Sequence, residues 1–437
     1  MAITGAESET VDAVAPLKEW LSANWDPDLT VAQWWERLGT SGWAAPALPA
    51  ACYGKGLSRA EVVRVQETIA DFGALGPPGG LGLMLAAPTI ATYGSAEQQE
   101  RYVRPIVTGA QAWCQLFSEP AAGSDLAGLQ TRAERDGDEW VISGQKVWTS
   151  GGQIADLGML LARTNPDVPK HQGITYFAFN MRQPGVEVRP LREMTGRALF
   201  NEVFITEARV DNDAIIGGLH NGWAVANATL AFERAGLGAG GGSGGASSAT
   251  PGSLAGDLGK RAGDFVRARG RGAAGGPGGT VGTSRLLQAL ARQLGVNRDP
   301  VIRQDLVRLH ILTEIGRYMT LRQKALSASG GDIPGLGNLA KLSMSTILRL
   351  SRDLGLGMLG ARGTLHVYSA GEGSDLSGLP GGDLATMVTE MALFAQGPSI
   401  YGGTDEIQHN IIGERVLGLP KEPGTDKSIP FRDLPRN

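Results

Sequence analysis

The feature that most constrains this fold is a change in sequence pattern along the chain, from helix-forming residues to short β-rich runs and back. Residues 1–113 and those after Gly222 are rich in helix formers, whereas residues 114–216 consist of short β-rich runs. One hairpin is clear, because residues 131–135 alternate, Asp136-Gly137 supplies a turn and residues 140–142 resume a strand. Further strands are expected at 159–161, 174–179, 186–188 and 203–205. We therefore expect an α+β fold in four parts: a helical domain (1–113), a β domain (114–216), a helical bundle (217–415) and a tail (416–437).

Helix signals are clear in both flanking regions. Ser58 with Glu61, and Ser95 with Gln98, have the spacing of a capping box. The strongest periodicity covers residues 301–326, where apolar side chains recur every three or four positions. It predicts a bundle helix whose core-facing side comprises Ile302, Leu306, Leu309, Leu312, Ile315 and Met319.

An insertion rich in Gly, Ala and Ser interrupts the second helical region at about residues 236–282. Such a composition buries too little apolar surface to offset its ordering entropy, so we expect most of the insertion to be flexible. Residues 254–269 also carry several Lys and Arg side chains. They are either a solvated mobile loop or a short basic helix that contacts a partner or a phosphate.

Composition narrows the class of protein but not its chemistry. The formal net charge of −4 over 437 residues gives no electrostatic reason to expect a nucleic acid or an anionic membrane as partner. We expect no membrane span and no signal peptide. The two cysteines and five scattered histidines lack metal-ligand spacing, so no metal site is expected and the cytoplasm is the default compartment.

Two segments of the β domain are suited to ligand binding. Residues 116–128 form a small-residue turn with Ser118, Gly123 and Ser124, and successive backbone N–H groups in such a turn suit a phosphate or an electron-rich ring edge. Residues 144–152 add Trp148 as a flat apolar wall and Ser150 as a hydroxyl donor. Taken singly, each segment is also compatible with ordinary loop or sheet packing and does not by itself indicate a ligand site.

Together with a third segment, these motifs resemble the acyl-CoA dehydrogenase family. The three strings, in family order, are Ser118-Glu119-Pro120-Ala121-Ala122-Gly123-Ser124-Asp125, Gly144-Gln145-Lys146-Val147-Trp148 and Gly403-Thr404-Asp405-Glu406-Ile407-Gln408. The resemblance covers nearly the whole chain except the insertion. It implies a helical amino-terminal domain, a central β-barrel-like domain, a carboxy-terminal four-helix bundle and bound FAD.

The resemblance assigns cofactor contacts residue by residue. Ser118 would bond the pyrimidine side of the flavin, and Gly123 with Ser124 the pyrophosphate region. Trp148 would cover the ring and Ser150 would approach N5. The segment beside the ring and the pyrophosphate would comprise Tyr401, Gly403 and Thr404, and Thr404 is also a plausible helix N-cap.

The reaction that the family implies is α,β-desaturation of an acyl-CoA thioester, in which a base removes the α-proton and a hydride passes to flavin N5. Most members carry a Glu base at the position that is Gly402 here. The backbone N–H of Gly402 can still polarise the thioester oxygen. Glu233, in a Glu-Arg pair on a predicted helix, matches the base of members that place it elsewhere, and is our candidate.

Two further departures concern the assembly. Most family members have an Arg that reaches the FAD of a neighbouring subunit; Ala291 stands at this position here, unless Arg292 takes over its role. Gly357 stands where the family usually has a Gln. These departures suit an oligomer with a related, unlike chain, although a homo-oligomer stays open.

The family resemblance also implies that electrons pass to an electron-transferring flavoprotein. The alternatives are a non-catalytic flavin-binding subunit and an acyl-CoA oxidase, and the tail after residue 416 is expected to be disordered or to contact a partner.

Overall fold

The computed structural model describes residues 13–238, 249–254, 256–266, 280–328, 331, 333–367, 382–421, 423 and 428–435. The amino-terminal domain consists of short helices around buried tryptophans. Its helices are α1 (Val14–Asn24), α2 (Val31–Thr40), α3 (Arg59–Phe72), α4 (Ala87–Tyr93), α5 (Ala96–Gln98) and α6 (Arg104–Val107), and π-helical turns precede α4 and α6.

Local sequence signals explain where these helices begin and which side is buried. Both predicted capping boxes are present, Ser58 with Glu61 at α3 and Ser95 with Gln98 at α5. In α2, buried Val31, Trp34, Trp35 and Leu38 follow the spacing of one helix face, so this face packs into the core. The indole N–H groups of Trp34 and Trp35 donate to the carbonyls of Leu75 and Gly76.

The middle of the chain is a seven-stranded sheet. Its strands are β1 (Trp113–Leu116), β2 (Arg132–Asp136), β3 (Glu139–Lys146), β4 (Leu157–Arg163), β5 (Ile174–Asn180), β6 (Val186–Leu191) and β7 (Phe200–Asp211). The order is β1-β4-β2-β3-β7-β6, and β5 pairs with β4. The predicted hairpin is confirmed as β2–β3, with Gly137 at φ +64° in its turn. Between Ile142 and Gly144 the β3–β7 register shifts, which bends β3 just before the predicted ligand segment.

The second helical region comprises α7 (Gly222–Gly238), α8 (Thr280–Gln293), α9 (Pro300–Ala328), α10 (Leu336–Leu359), α11 (Gly382–Phe394) and α12 (Asp405–Ile411). Helices α8 to α11 share one apolar core, to which they contribute for example Leu287, Leu309, Leu354 and Val388. This is the expected helical bundle, and the α+β architecture is confirmed. None of the helices within the described ranges is long and apolar enough to cross a membrane.

One expectation about α9 is wrong. Leu309 is fully buried, as the periodicity predicts, but Ile315 is half exposed. The reason is that α9 is apolar on more than one side, so periodicity alone does not identify the side that packs inside its own chain.

Parts of the insertion and of the tail pack against the chain, which was not expected, while the flexibility of most of the insertion stays a prediction. Residues 256–266 of the insertion lie along the amino-terminal domain, where the N–H groups of Val31 and Ala32 donate to the carbonyls of Lys260 and Leu258. Arg261 forms ion pairs with Asp28 and Asp264, so its charge is neutralised within the chain. Most of the rest of the insertion lies outside the described residues.

Residues 428–435 of the tail also pack against their own chain, on the β domain. The Phe431 N–H donates to the Val168 carbonyl at 2.9 Å. This part of the tail is therefore packed on its own chain and not disordered, while contact of its exposed residues with a partner stays a prediction.

Candidate active site

The first two predicted ligand segments lie side by side. The Val147 N–H donates to the Ser118 carbonyl at 2.9 Å. Beneath this contact the Lys146 ammonium is fully buried and donates to the Phe117 carbonyl at 3.1 Å and to the Glu119 carboxylate at 2.8 Å. The structure thus brings the Ser118 turn and the end of β3 together.

Glu119 is held as a carboxylate in this buried position. Burial raises the pKa of Glu119, but Lys146 and hydrogen bonds from Thr131 and Gln130 outweigh it, so the pKa lies below its usual value. The Gln130 and Thr131 N–H groups donate to the two carboxylate oxygens at 2.6 and 2.9 Å. Glu119 therefore ties both ends of the turn to Lys146.

Trp148 is presented outward by a backbone that few L-residues adopt. Its φ is +62°, its side chain is 57% exposed, and its ring meets the edge of Phe200, at 5.9 Å between centroids. Thr149 and Asn201 hold this conformation, because each donates its N–H to the other's carbonyl at 3.0 Å. A large apolar ring face is thus left open beside the partly buried Ser150.

The turn at Gly123 and Ser124 is likewise open. Both residues are exposed, and a Cβ placed on Gly123 would meet no atom within 4 Å. The next residue, Asp125, is fixed by the Lys170 ammonium at 2.9 and 3.0 Å. An anchored turn with exposed backbone suits a phosphate group.

The third segment is a tight turn before α12. Gly402 and Gly403 have φ of +64° and +81°, and the Gln408 amide donates to the Gly402 carbonyl at 2.9 Å. Thr404 is the helix cap, as predicted: its hydroxyl accepts from the Ile407 N–H at 3.2 Å. Tyr401, immediately before the glycines, is 40% exposed, and burial of its hydroxyl end raises its pKa.

A buried carboxylate fixes this turn to the bundle. Asp405 accepts from Lys341 at 2.8 Å, Ser345 at 2.8 Å and Arg349 at 2.9 Å, and all three belong to α10. Burial raises the pKa of Asp405, yet these donors outweigh burial and hold the pKa below its usual value. Helix α10 therefore determines where the turn lies.

Glu233 lies on α7, partly buried, in the helix that packs against β5, α4 and α10. One turn earlier, Thr229 is fully buried and its hydroxyl is 2.9 Å from that of Thr89 on α4. Helix α10 contacts both α7 and α12. The helix that holds the Gly402 turn is thus also a neighbour of the helix that carries Glu233.

Comparison with known proteins decides the family. Residues 8–110 match the acyl-CoA dehydrogenase N-terminal domain, residues 114–208 the middle domain and residues 273–417 the C-terminal domain. The chain belongs to the acyl-CoA dehydrogenase family. It is therefore an oxidoreductase of this family, and FAD is its cofactor.

Individual members agree with this assignment. The chain is 36% identical to acyl-CoA dehydrogenase IpdE1 of Mycobacterium tuberculosis over 392 residues, which is 89% of this chain and 88% of that protein. It is also 36% identical to acyl-CoA dehydrogenase FadE34 of the same organism, over 88% of this chain and 46% of FadE34. Among solved structures, the ChsE4-ChsE5 complex of Mycobacterium tuberculosis matches with a TM-score of 0.65 and 25% identity, over 97% of this chain and 100% of the matched chain.

The residues present fit FAD. The open face of Trp148 can cover a flat ring, and the anchored turn at Gly123 and Ser124 has space for a phosphate. The Thr149 hydroxyl is buried, and no hydrogen-bond partner for it occurs within the described part of the chain. It is a polar group available at the edge of this site. The individual contacts with FAD stay predictions for all eight residues: Ser118, Gly123, Ser124, Trp148, Ser150, Tyr401, Gly403 and Thr404.

The two family departures occupy different environments. Ala291 is fully buried in the bundle core on α8, so this position has no group with which to reach a neighbour. Arg292, the possible substitute, is exposed. Gly357 on α10 is exposed, and a Cβ there would meet no atom within 4 Å.

Sequence reasoning missed the groups that hold the site in place. Lys146, Glu119 and Asp405 all lie inside the quoted motifs, but each follows a polar residue (Gln145, Ser118 and Thr404), so the local sequence gives no signal that they are buried. Asn201 and Arg163 likewise have no such signal, because their roles depend on loops brought together by the sheet.

Proposed function

We propose that this enzyme desaturates an acyl-CoA thioester between its α and β carbons, with Glu233 as the base. The observation that carries the proposal is that α10 contacts both the helix that carries Glu233 and the helix that follows Gly402. The turn before α12 has no side chain at position 402, while α7 carries a carboxylate at position 233. A small residue in the turn leaves space for a base that approaches from the other helix.

The chain's own groups supply three parts of the reaction. The Gly402 N–H polarises the thioester oxygen and so stabilises the negative charge that develops there. Glu233 then removes the α-proton, which this polarisation has made more acidic. The Trp148 indole excludes water from the face that it covers. FAD held beside Trp148 and the Gly123–Ser124 turn would supply the hydride acceptor, so that the α-proton and the β-hydride together account for the two hydrogens that the substrate loses.

Replacing Glu233 by Gln tests the base directly. We expect kcat to fall by about 10²- to 10⁴-fold, the usual contribution of a general base, while the flavin absorbance and FAD content stay unchanged. The matched control is Glu67→Gln, which removes an exposed carboxylate on α3. Unchanged turnover of the complete assembly with Glu233→Gln would instead indicate a non-catalytic flavin-binding subunit.

We propose an electron-transferring flavoprotein as the electron acceptor. The competing reaction of the same fold is an acyl-CoA oxidase, in which O₂ takes the electrons. Substrate-dependent peroxide release at the rate of substrate consumption would establish the oxidase, whereas turnover that depends on added electron-transferring flavoprotein would support the dehydrogenase.

We also propose that the chain assembles with a related, unlike acyl-CoA dehydrogenase chain. Support comes from Ala291 and Gly357, where this chain lacks the groups that the family lends to a neighbour. The ChsE4-ChsE5 complex is a precedent for two such chains in one assembly. The test is co-expression with candidate partners, followed by flavin-to-chain stoichiometry. A homo-oligomer with one FAD per chain would contradict this part of the proposal.

A further inference from the structure

The carboxy-terminal tail lies against the loop between β4 and β5. The Phe431 and Arg432 N–H groups donate to the Val168 and Pro166 carbonyls at 2.9 and 3.0 Å. A bridge between Pro430 and Pro169 extends this contact. These backbone contacts make a defined docking of residues 428–435.

The docked segment covers the guanidinium of Arg163, the last residue of β4. The Phe431 ring lies over it, with 3.4 Å between the guanidinium carbon and the ring centroid. Arg163 is itself buried, and burial lowers its pKa to about 10, so it remains charged at neutral pH. An aromatic face that covers a desolvated cation is a favourable contact.

The Arg163 guanidinium donates hydrogen bonds to the segment that follows the predicted phosphate turn. Its nitrogens donate to the Ala127 carbonyl at 2.6 Å and to the Leu129 carbonyl at 3.3 Å. A third bond reaches the Lys170 carbonyl at 3.0 Å. Lys170 in turn holds Asp125, which directly follows Ser124. Arg163 and Lys170 thus fix the residues next to the turn at Gly123 and Ser124, and the tail covers Arg163.

We propose that residues 428–435 act as a strap that positions the flavin-phosphate turn, with Phe431 and Arg163 as positioning residues. The flavin part of this inference rests on the proposed roles of Gly123 and Ser124. Without the Phe431 ring, water reaches the open face of the guanidinium and competes with the Ala127 and Leu129 carbonyls for it. The turn then loses order, and FAD binding has to restore that order at the expense of affinity.

The test compares variants of the full-length chain in two measurements: FAD titration of the apoprotein and hydrogen exchange of the holoprotein. With Phe431→Ala we expect about tenfold weaker FAD binding, a loss that lies within the range of cation–π contacts. We also expect faster exchange in residues 123–131, while β7 keeps its protection. Phe431→Trp should restore both properties.

The matched control is Arg432→Ala. It removes the exposed ion pair with Asp167 but leaves the ring over Arg163. Wild-type affinity and exchange in Phe431→Ala would overturn the strap, and so would equal effects of Arg432→Ala. If Phe431→Ala does not fold, Phe431→Leu is judged by the same two criteria.

A separate variant isolates the proposed flavin role of the turn. Unchanged FAD affinity in Ser124→Ala would contradict the role of Ser124 while leaving the exchange measurement to decide the strap. Weaker binding in Ser124→Ala together with unchanged exchange in Phe431→Ala would retain the flavin role and overturn the strap.

Discussion

At the scale of single residues, Lys146 holds the Ser118 turn to the end of β3, next to Trp148. It is fully buried and joins the Phe117 carbonyl to the Glu119 carboxylate. We predict that Lys146→Met lowers the free energy of unfolding by about 3–5 kcal/mol, because it leaves Glu119 buried without its countercharge. Urea unfolding followed by tryptophan fluorescence measures this loss.

The double variant Lys146→Met/Glu119→Gln provides the control for this prediction. It removes both charges, so much of the stability should return. If the single and double variants are equally unstable, the loss comes from packing and the charge argument is wrong. The exposed pair of Arg101 and Asp213 serves as a reference, since breaking it should cost less than about 1 kcal/mol.

At the scale of elements, Asp405 attaches the Gly402 turn to α10. Its pKa is depressed in the fold, so its contribution to stability is present above the unfolded pKa of about 3.9 and is lost as the pH falls through the folded pKa. We predict that Asp405→Asn loses about 1–3 kcal/mol at pH 7 and shows a weaker decline on acidification than the wild type. Unfolding curves between about pH 5 and pH 1 measure this difference.

Asp383→Asn is a suitable control, because Asp383 is exposed. Its acid profile should follow that of the wild type. Parallel profiles of Asp405→Asn and the wild type would show that Asp405 does not link the turn to α10 electrostatically.

Sequence patterns predicted elements well where the signal is local. Both capping boxes, the β2–β3 hairpin and the Thr404 cap depend on residues at most a few positions apart. The Asp405 cluster joins residues about sixty positions apart, and Arg163 at the end of β4 meets Phe431 of the tail, which is still farther away along the chain. Pairings of that kind depend on how elements pack, which periodicity does not report. The same limit explains why the exposed side of α9 was assigned to the core.

At the scale of the whole molecule, α9 presents an apolar face to the outside. Val307, Ile311, Ile315, Tyr318 and Leu321 are each about half exposed or more, and their spacing places them on one side of the helix. A contiguous apolar face of this kind marks a protein interface. Nearby, Val301 and Gly357 line a depression of about 290 Å³ between α9 and α10. We infer that another chain covers this face in the assembly.

We therefore predict that Ile311→Glu/Ile315→Glu weakens association by about a hundredfold or more, because it buries two unpaired carboxylates in the interface. Sedimentation velocity across a concentration series should show the smaller species dominating at micromolar protein, with the circular dichroism spectrum unchanged. The matched control is Val63→Glu, which adds a charge at an exposed apolar residue of α3. If the double variant and Val63→Glu sediment alike as the full assembly, α9 does not form the interface and the unlike partner must bind another surface.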